Sequence, residues 1–158
     1  MGTPFETIYD QFLASLNDYK LAKMDVVTLE ENLFAWLKKA IGYYPNPKKD
    51  MYDYNLTFRS FNEELNGLEI DALARYMVMF YLDIHLMKEE NLSQALNSKD
   101  YRMYSPANQL KALRELKGSI KQEGNVLAMR NSYNSKSMGE LLKRKRLLWL
   151  KKRITKII

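Results

Sequence analysis

Tyr76–Leu82 is apolar at every position, and it lies inside a longer stretch whose apolar residues recur at helical spacing. Ile70, Leu73, Met77, Phe80, Ile84 and Met87 form one stripe of that stretch, and the residues between them carry the apolar surface around the whole circumference. A helix of this kind needs cover on more than one side. A bilayer would need roughly 20 such residues, so this run does not span one. The cover has to come from the rest of the chain, which makes this the central helix of a folded body.

The flanking sequence supplies that cover. The central helix begins near Asn66, with Glu69 completing a capping pair, and reaches about Glu89; Asn91–Ala95 adds a further turn. Ahead of it, Thr3 and Glu6 form a capping-box pattern with Pro4 at the first helical position, and Phe5, Ile8, Phe12 and Leu16 give that helix one apolar face. A second helix is predicted from about Thr28 to Ile41, with Gly42 as its stop and Leu33, Trp36, Leu37 and Ala40 as its buried side. Pro45-Asn46-Pro47 then breaks the chain, and the alternation over Met51–Phe58 reads as extended.

Beyond the central helix, Tyr101–Tyr104 also reads as extended. Ser105 and Pro106 open a fourth helix with Leu110, Leu113, Leu116, Ile120 and Leu127 as its stripe. Gly118 and Gly124 weaken it by about 1 kcal/mol each relative to alanine, which predicts a bend. Asn131–Ser137 reads as polar linker, and a fifth helix occupies about Gly139–Ile157. The expected fold is all-α, four or five helices with at most a small β-hairpin between helices. Its expected organisation is a helical body over 1–133, a linker over 134–138 and a basic C-terminal helix over 139–158.

Chemistry-bearing patterns are sparse. The sequence of 158 residues has no cysteine and one histidine, His85, which excludes disulfides and thiolate zinc sites and leaves histidine-rich metal sites without ligands. Absence of cysteine fits a reducing compartment. Met1–Asp10 carries Glu6 and Asp10 and lacks an apolar core, so no secretory leader is expected there. The glycines are scattered singly, so neither a phosphate-cradling loop nor a nucleophile elbow is present. Glu30–Glu31, Glu63–Glu64 and Glu89–Glu90 fall at helix ends, where they read as solvated or dipole-compensating pairs. No catalytic residue, cofactor or metal is expected, and the chain reads as a non-enzymatic docking module.

Charge and tyrosine placement carry more information. The formal charge is +6, but Glu140–Ile158 alone holds eight basic residues against Glu140, a charge of +7. The rest has 17 basic and 18 acidic residues and a charge of −1. Leu147, Leu150, Ile154 and Ile157 give the terminal segment an apolar seam, while Lys143, Arg144, Lys145 and Arg146 surround one complete turn with cations. A segment this short owes its order to packing, and its charge points to an anionic partner: acidic protein, nucleic-acid phosphate or an anionic surface. No groove-reading motif is present, so any DNA contact is unspecific. Of eleven tyrosines, Tyr52, Tyr54, Tyr101 and Tyr104 fall in the two extended segments, where they either pack those segments onto the helices or form an interface.

Three stretches together carry a family resemblance: Thr3–Leu13, Leu65–Val78 and Ser98–Leu113. In combination they resemble the small neck proteins of tailed bacteriophages, the head-to-tail connector or adaptor class, over roughly Thr3 to Met129. The resemblance implies a mostly helical subunit of a ring, usually of twelve copies, which sits beneath the portal and extends the DNA channel. It implies the portal and the next neck or tail component as partners, unspecific contact with packaged DNA, no membrane, and a place in the virion neck after assembly in the host cytoplasm. The class has no catalytic residues to transfer. The basic terminal helix is the element expected to dock. The alternative is a small soluble module that binds nucleic acid unspecifically through that helix.

Overall fold

The computed structural model describes residues 2–16, 21, 23–95 and 106–134. Among these residues the order is α1 (Phe5–Ala14), α2 (Val26–Tyr43), β1 (Tyr54–Asn55), β2 (Ser60–Phe61), α3 (Gly67–Ala95) and α4 (Pro106–Asn134). The fold is all-α with one small antiparallel ribbon, in which Tyr54 pairs with Phe61 and Asn55 with Ser60. No helix among the described residues is long and apolar enough to cross a membrane.

α3 is the central helix, with α4, α2 and α1 all packed against it. Tyr76, Met77, Val78, Met79, Tyr81 and Leu82 are all buried, as an all-round apolar segment requires. Phe12, Trp36 and Tyr81 bring α1, α2 and α3 together through rings, with centroids 5.5 Å apart for Phe12–Trp36 and 5.3 Å for Trp36–Tyr81. His85 stacks edge-on against Tyr81 at 4.7 Å and belongs to the same packing. Two stripe residues are exposed: Met87 at the end of the α3 stripe, and Leu116 on α4, although Leu110 and Ile120 on either side of it are buried.

The capping pair at Asn66 and Glu69 forms as its sequence predicts. The Asn66 amide donates to Glu69 Oε2 at 2.8 Å and the Glu69 amide donates to Asn66 Oδ1 at 3.0 Å. The pattern at Thr3 does not. Pro4 occupies the cap of α1 with no side-chain bond, and the buried Thr3 hydroxyl instead accepts from the Leu65 amide at 2.7 Å. Tertiary structure takes the hydroxyl because Gly2–Pro4 runs beside β2, where the Phe61 amide donates to Thr3 O at 2.9 Å. A Cβ on Gly2 would lie 1.6 Å from the Phe61 carbonyl oxygen, so only glycine permits that approach.

Other helix ends are displaced from their predicted places. α2 starts at Val26 because Asp25 caps it, accepting from the Thr28 amide at 3.4 Å, and it runs through Gly42 to Tyr43. The end of α3 is not displaced: the helix includes the further turn read over Asn91–Ala95. α4 runs through Gly118 and Gly124 as one helix. Gly124 has a packing reason: a Cβ there would come within 2.7 Å of the Tyr76 ring, whose hydroxyl donates to Asn125 Oδ1 at 3.0 Å. α4 also includes Asn131–Asn134, the start of the segment read as linker; the remainder of that segment lies outside the described residues.

Asn131 is the largest departure from the linear reading. It is 4% exposed and closes a buried polar hub. Its side-chain amide donates to Glu69 Oε1 at 3.1 Å and to the Tyr44 hydroxyl at 3.3 Å, while its Oδ1 accepts from Asn66 Nδ2 at 2.7 Å. Lys48 donates to the Asn131 carbonyl, and Lys49 pairs with Glu69 at 3.4 Å. The Glu69 side chain, 1% exposed, is satisfied from three directions. The hub ties the start of α3, the end of α4 and the segment after α2 into one unit.

Candidate docking surface

The segment after α2 also builds a surface of opposite character. Between β1 and β2 the chain turns through Leu56–Arg59. Asn55 Oδ1 accepts from the Thr57 amide at 2.9 Å and the Phe58 amide at 3.1 Å, and Arg59 holds a left-handed φ of 48°. This fixed turn aims two large apolar side chains at solvent: Leu56 is 63% exposed and Phe58 77%. Val26 and Val27, in the first turn of α2, are exposed as well.

Val27 and Leu56 border a groove of about 230 Å³ whose deeper lining is Phe5, Tyr9 and Phe34. The Phe5 and Phe34 rings stack at 5.7 Å and give it a firm aromatic base. Burial pushes the Tyr9 hydroxyl well above the ordinary tyrosine range, with the Arg59 cation opposing and Glu30 adding to the shift. Glu30, Glu31 and Arg59 supply the polar border. Arg59 pairs with Glu30 at 2.7 Å, which holds the guanidinium charged. The groove thus joins an apolar base to a charged border and a projecting tip, the anatomy of a protein-binding surface.

Elsewhere the depressions are built differently. The one between α3 and α4 is crossed by Arg114–Glu90 at 2.8 Å and by the Lys117–Asp83 pair, with the Lys39 ammonium 6.0 Å from the Phe80 ring centroid. Among the described residues no three metal-ligating side chains cluster.

The family profile described as YomZ prophage protein matches residues 1–132. The chain belongs to that family. It is therefore a phage-derived protein, and the matched region includes the central helix, the hub and the exposed tip. No curated protein and no solved structure matches it.

The two described tyrosines of the candidate interface have different fates. Tyr54 is half-buried and packs its ring on Phe5, Phe34 and Phe61 at 5.7–6.3 Å. Tyr52 is 65% exposed. Tyr54 therefore fastens the ribbon to the body, while Tyr52 remains on the surface. Tyr101, Tyr104 and the docking candidates Lys143, Arg144, Lys145, Arg146, Leu147, Leu150, Ile154 and Ile157 lie outside the described residues. Leu56, Phe58, Val26 and Val27 were missed by sequence reasoning. Their signal was present: Leu56 and Phe58 share the alternation of Tyr52 and Tyr54 but lie beyond the end of β1.

Proposed function

We propose that this phage-derived chain is a non-enzymatic structural subunit of the virion neck, an adaptor that joins head to tail beneath the portal and continues the DNA channel as a ring. The observation that carries the reading is the fixed apolar tip beside its groove, on a body whose buried side-chain polar atoms are all satisfied among the described residues. Among the described residues Leu56 and Phe58 stay largely exposed, and a protein partner would take that apolar area out of water. The resemblance of Thr3–Leu13, Leu65–Val78 and Ser98–Leu113 to neck adaptors supplies the particular partner class, portal and next neck component.

The test is made in the particle. The tagged chain should co-purify with intact virions and localise at the head–tail junction, and its deletion should yield DNA-filled heads separated from tails. Virions lacking the chain, or deletion particles with heads and tails still joined, would overturn the reading. The +7 charge of Glu140–Ile158 favours a second reading, unspecific nucleic-acid binding. That reading requires tight DNA binding by the free chain, lost steeply as salt rises.

A further inference from the structure

We propose that the groove beside the hairpin tip is the receptor for the basic C-terminal segment, Glu140–Ile158, of a second copy of this chain. The proposal rests on the structural-subunit reading only for its ring; the pairing of segment with groove stands on the chemistry of both.

The receptor side offers apolar area and uncompensated carboxylate together. Val27 and Leu56 are exposed at its border above the Phe5–Phe34 base. Glu31 has no hydrogen-bond or ionic partner among the described residues, and Glu30 is matched only by Arg59. Glu30 and Glu31 against Arg59 leave the groove's lining with more negative than positive charge, and the Lys38 ammonium lies outside that lining, 4.9 Å from the Phe34 ring centroid.

The donor side has the inverse pattern in sequence. Leu147, Leu150 and Ile154 follow one another at the i, i+3 and i+7 positions by which an amphipathic helix anchors in a groove, and Lys143–Arg146 precedes them. Arg144 and Arg146 each match a carboxylate bidentately. No other part of the chain offers such a cationic density, since the remainder carries a formal charge of −1. Segment and groove are different surfaces, so a copy that gives to one neighbour and receives from another makes a heterologous contact, whereas reciprocal exchange between two copies closes as a dimer. Each copy gives one segment and receives another, and repetition closes into a ring when the rotation permits.

Mixing two inactive full-length variants tests this. One carries Val27→Asp with Leu56→Asp, which spoils the receptor and spares the donor. The other carries Lys143→Glu, Arg144→Glu, Lys145→Glu and Arg146→Glu, which spoils the donor and spares the receptor. By sedimentation velocity the wild type should run as an oligomer, and each variant alone as a single 18.7 kDa chain. Their mixture should form a dimer and go no further, because only one intact donor meets one intact receptor.

A monomeric wild type, continued association of the donor variant alone, or a mixture that stays monomeric would overturn the proposal. A segment seated in its own groove gives the first result, and a patch pairing with its twin gives the second. Should the paired aspartates lower the melting temperature, Val27→Thr with Leu56→Ser removes apolar area without adding charge and carries the same expectation. Failure here is separable from failure of the neck reading. A monomeric protein still found at the head–tail junction sinks only this inference, and an oligomer absent from virions sinks only the neck.

Discussion

The connection between α2 and α3 breaks the ordinary sorting of side chains in two opposite ways. Near Asn66 it closes over buried polar groups, where Glu69, Asn131 and Tyr44 are sealed from water and Asn66 and Lys49 bond to them from the rim. At Leu56–Phe58 it carries apolar groups outward. The inner exception is closed, since no buried side-chain nitrogen or oxygen among the described residues lacks a hydrogen-bond partner. The outer one is open, since Phe58 is 77% exposed among the described residues. Closed exceptions specify a fold, because a half-satisfied polar cluster is worse than an apolar one. Open exceptions ask for another molecule. Variants in the two regions should therefore separate stability from assembly.

Met77→Ala sets the scale. Met77 is fully buried where all the other helices meet α3, and its truncation should cost about 2–5 kcal/mol in urea unfolding as transfer and cavity terms combine. A small loss would mean that the core relaxes around α3 and that the hub, not the apolar layer, holds the helices.

Asn131→Ala is expected next, at about 2–3 kcal/mol, because it leaves the buried Glu69 carboxylate with fewer partners and opens a cavity beside Tyr44. Unfolding midpoints should fall while oligomerisation of the surviving folded fraction is unchanged. A variant of unchanged stability would show that the hub is wet and that its closure is not what ties α4 to α3.

The inner region should also show itself at alkaline pH. Burial is the main cause that raises the Tyr9, Tyr44 and Tyr76 hydroxyls above their ordinary value of 10.0. The unfolded chain therefore releases these protons first, while the folded chain still holds them. Their contribution is complete below pH 10.0 and is lost as pH rises through the folded values. Urea midpoints should fall above that pH, and Tyr76→Phe should shallow the fall while forfeiting the bond to Asn125. A flat profile would show that the tyrosines reach water in the folded state.

How legible these regions were in the sequence follows from the range of their interactions. The Asn66–Glu69 cap was readable because its partners are three residues apart, and the α3 core because an all-round apolar run has one physical outcome. Asn131 looked like linker because its partners, Tyr44, Asn66 and Glu69, lie 62 to 87 positions away. Thr3 looked like a cap because a local rule cannot see Leu65. The tip was misread through its period. Tyr54 obeys the strand alternation and packs inward, but the turn set by Asn55 and Arg59 resets side-chain direction before Phe58.

Phe58→Ser carries the smallest expected change in stability and the sharpest consequence for the comparison. Phe58 is 77% exposed and has no ring contact with the aromatic cluster beneath it. Its backbone turn is held by Asn55 and Arg59, neither of which needs the ring. Truncation should therefore shift unfolding by less than about 0.5 kcal/mol, and removing exposed apolar area is as apt to raise the midpoint as to lower it. Association should nevertheless weaken, because a projecting aromatic is the residue type that dominates protein interfaces. Combined with Asn131→Ala, the effects on unfolding should add, since the two sites share no partner. A large stability loss on Phe58→Ser would place the tip inside the fold's own cooperative unit. Unchanged association at unchanged stability would move the docking role from the tip to the groove beside it.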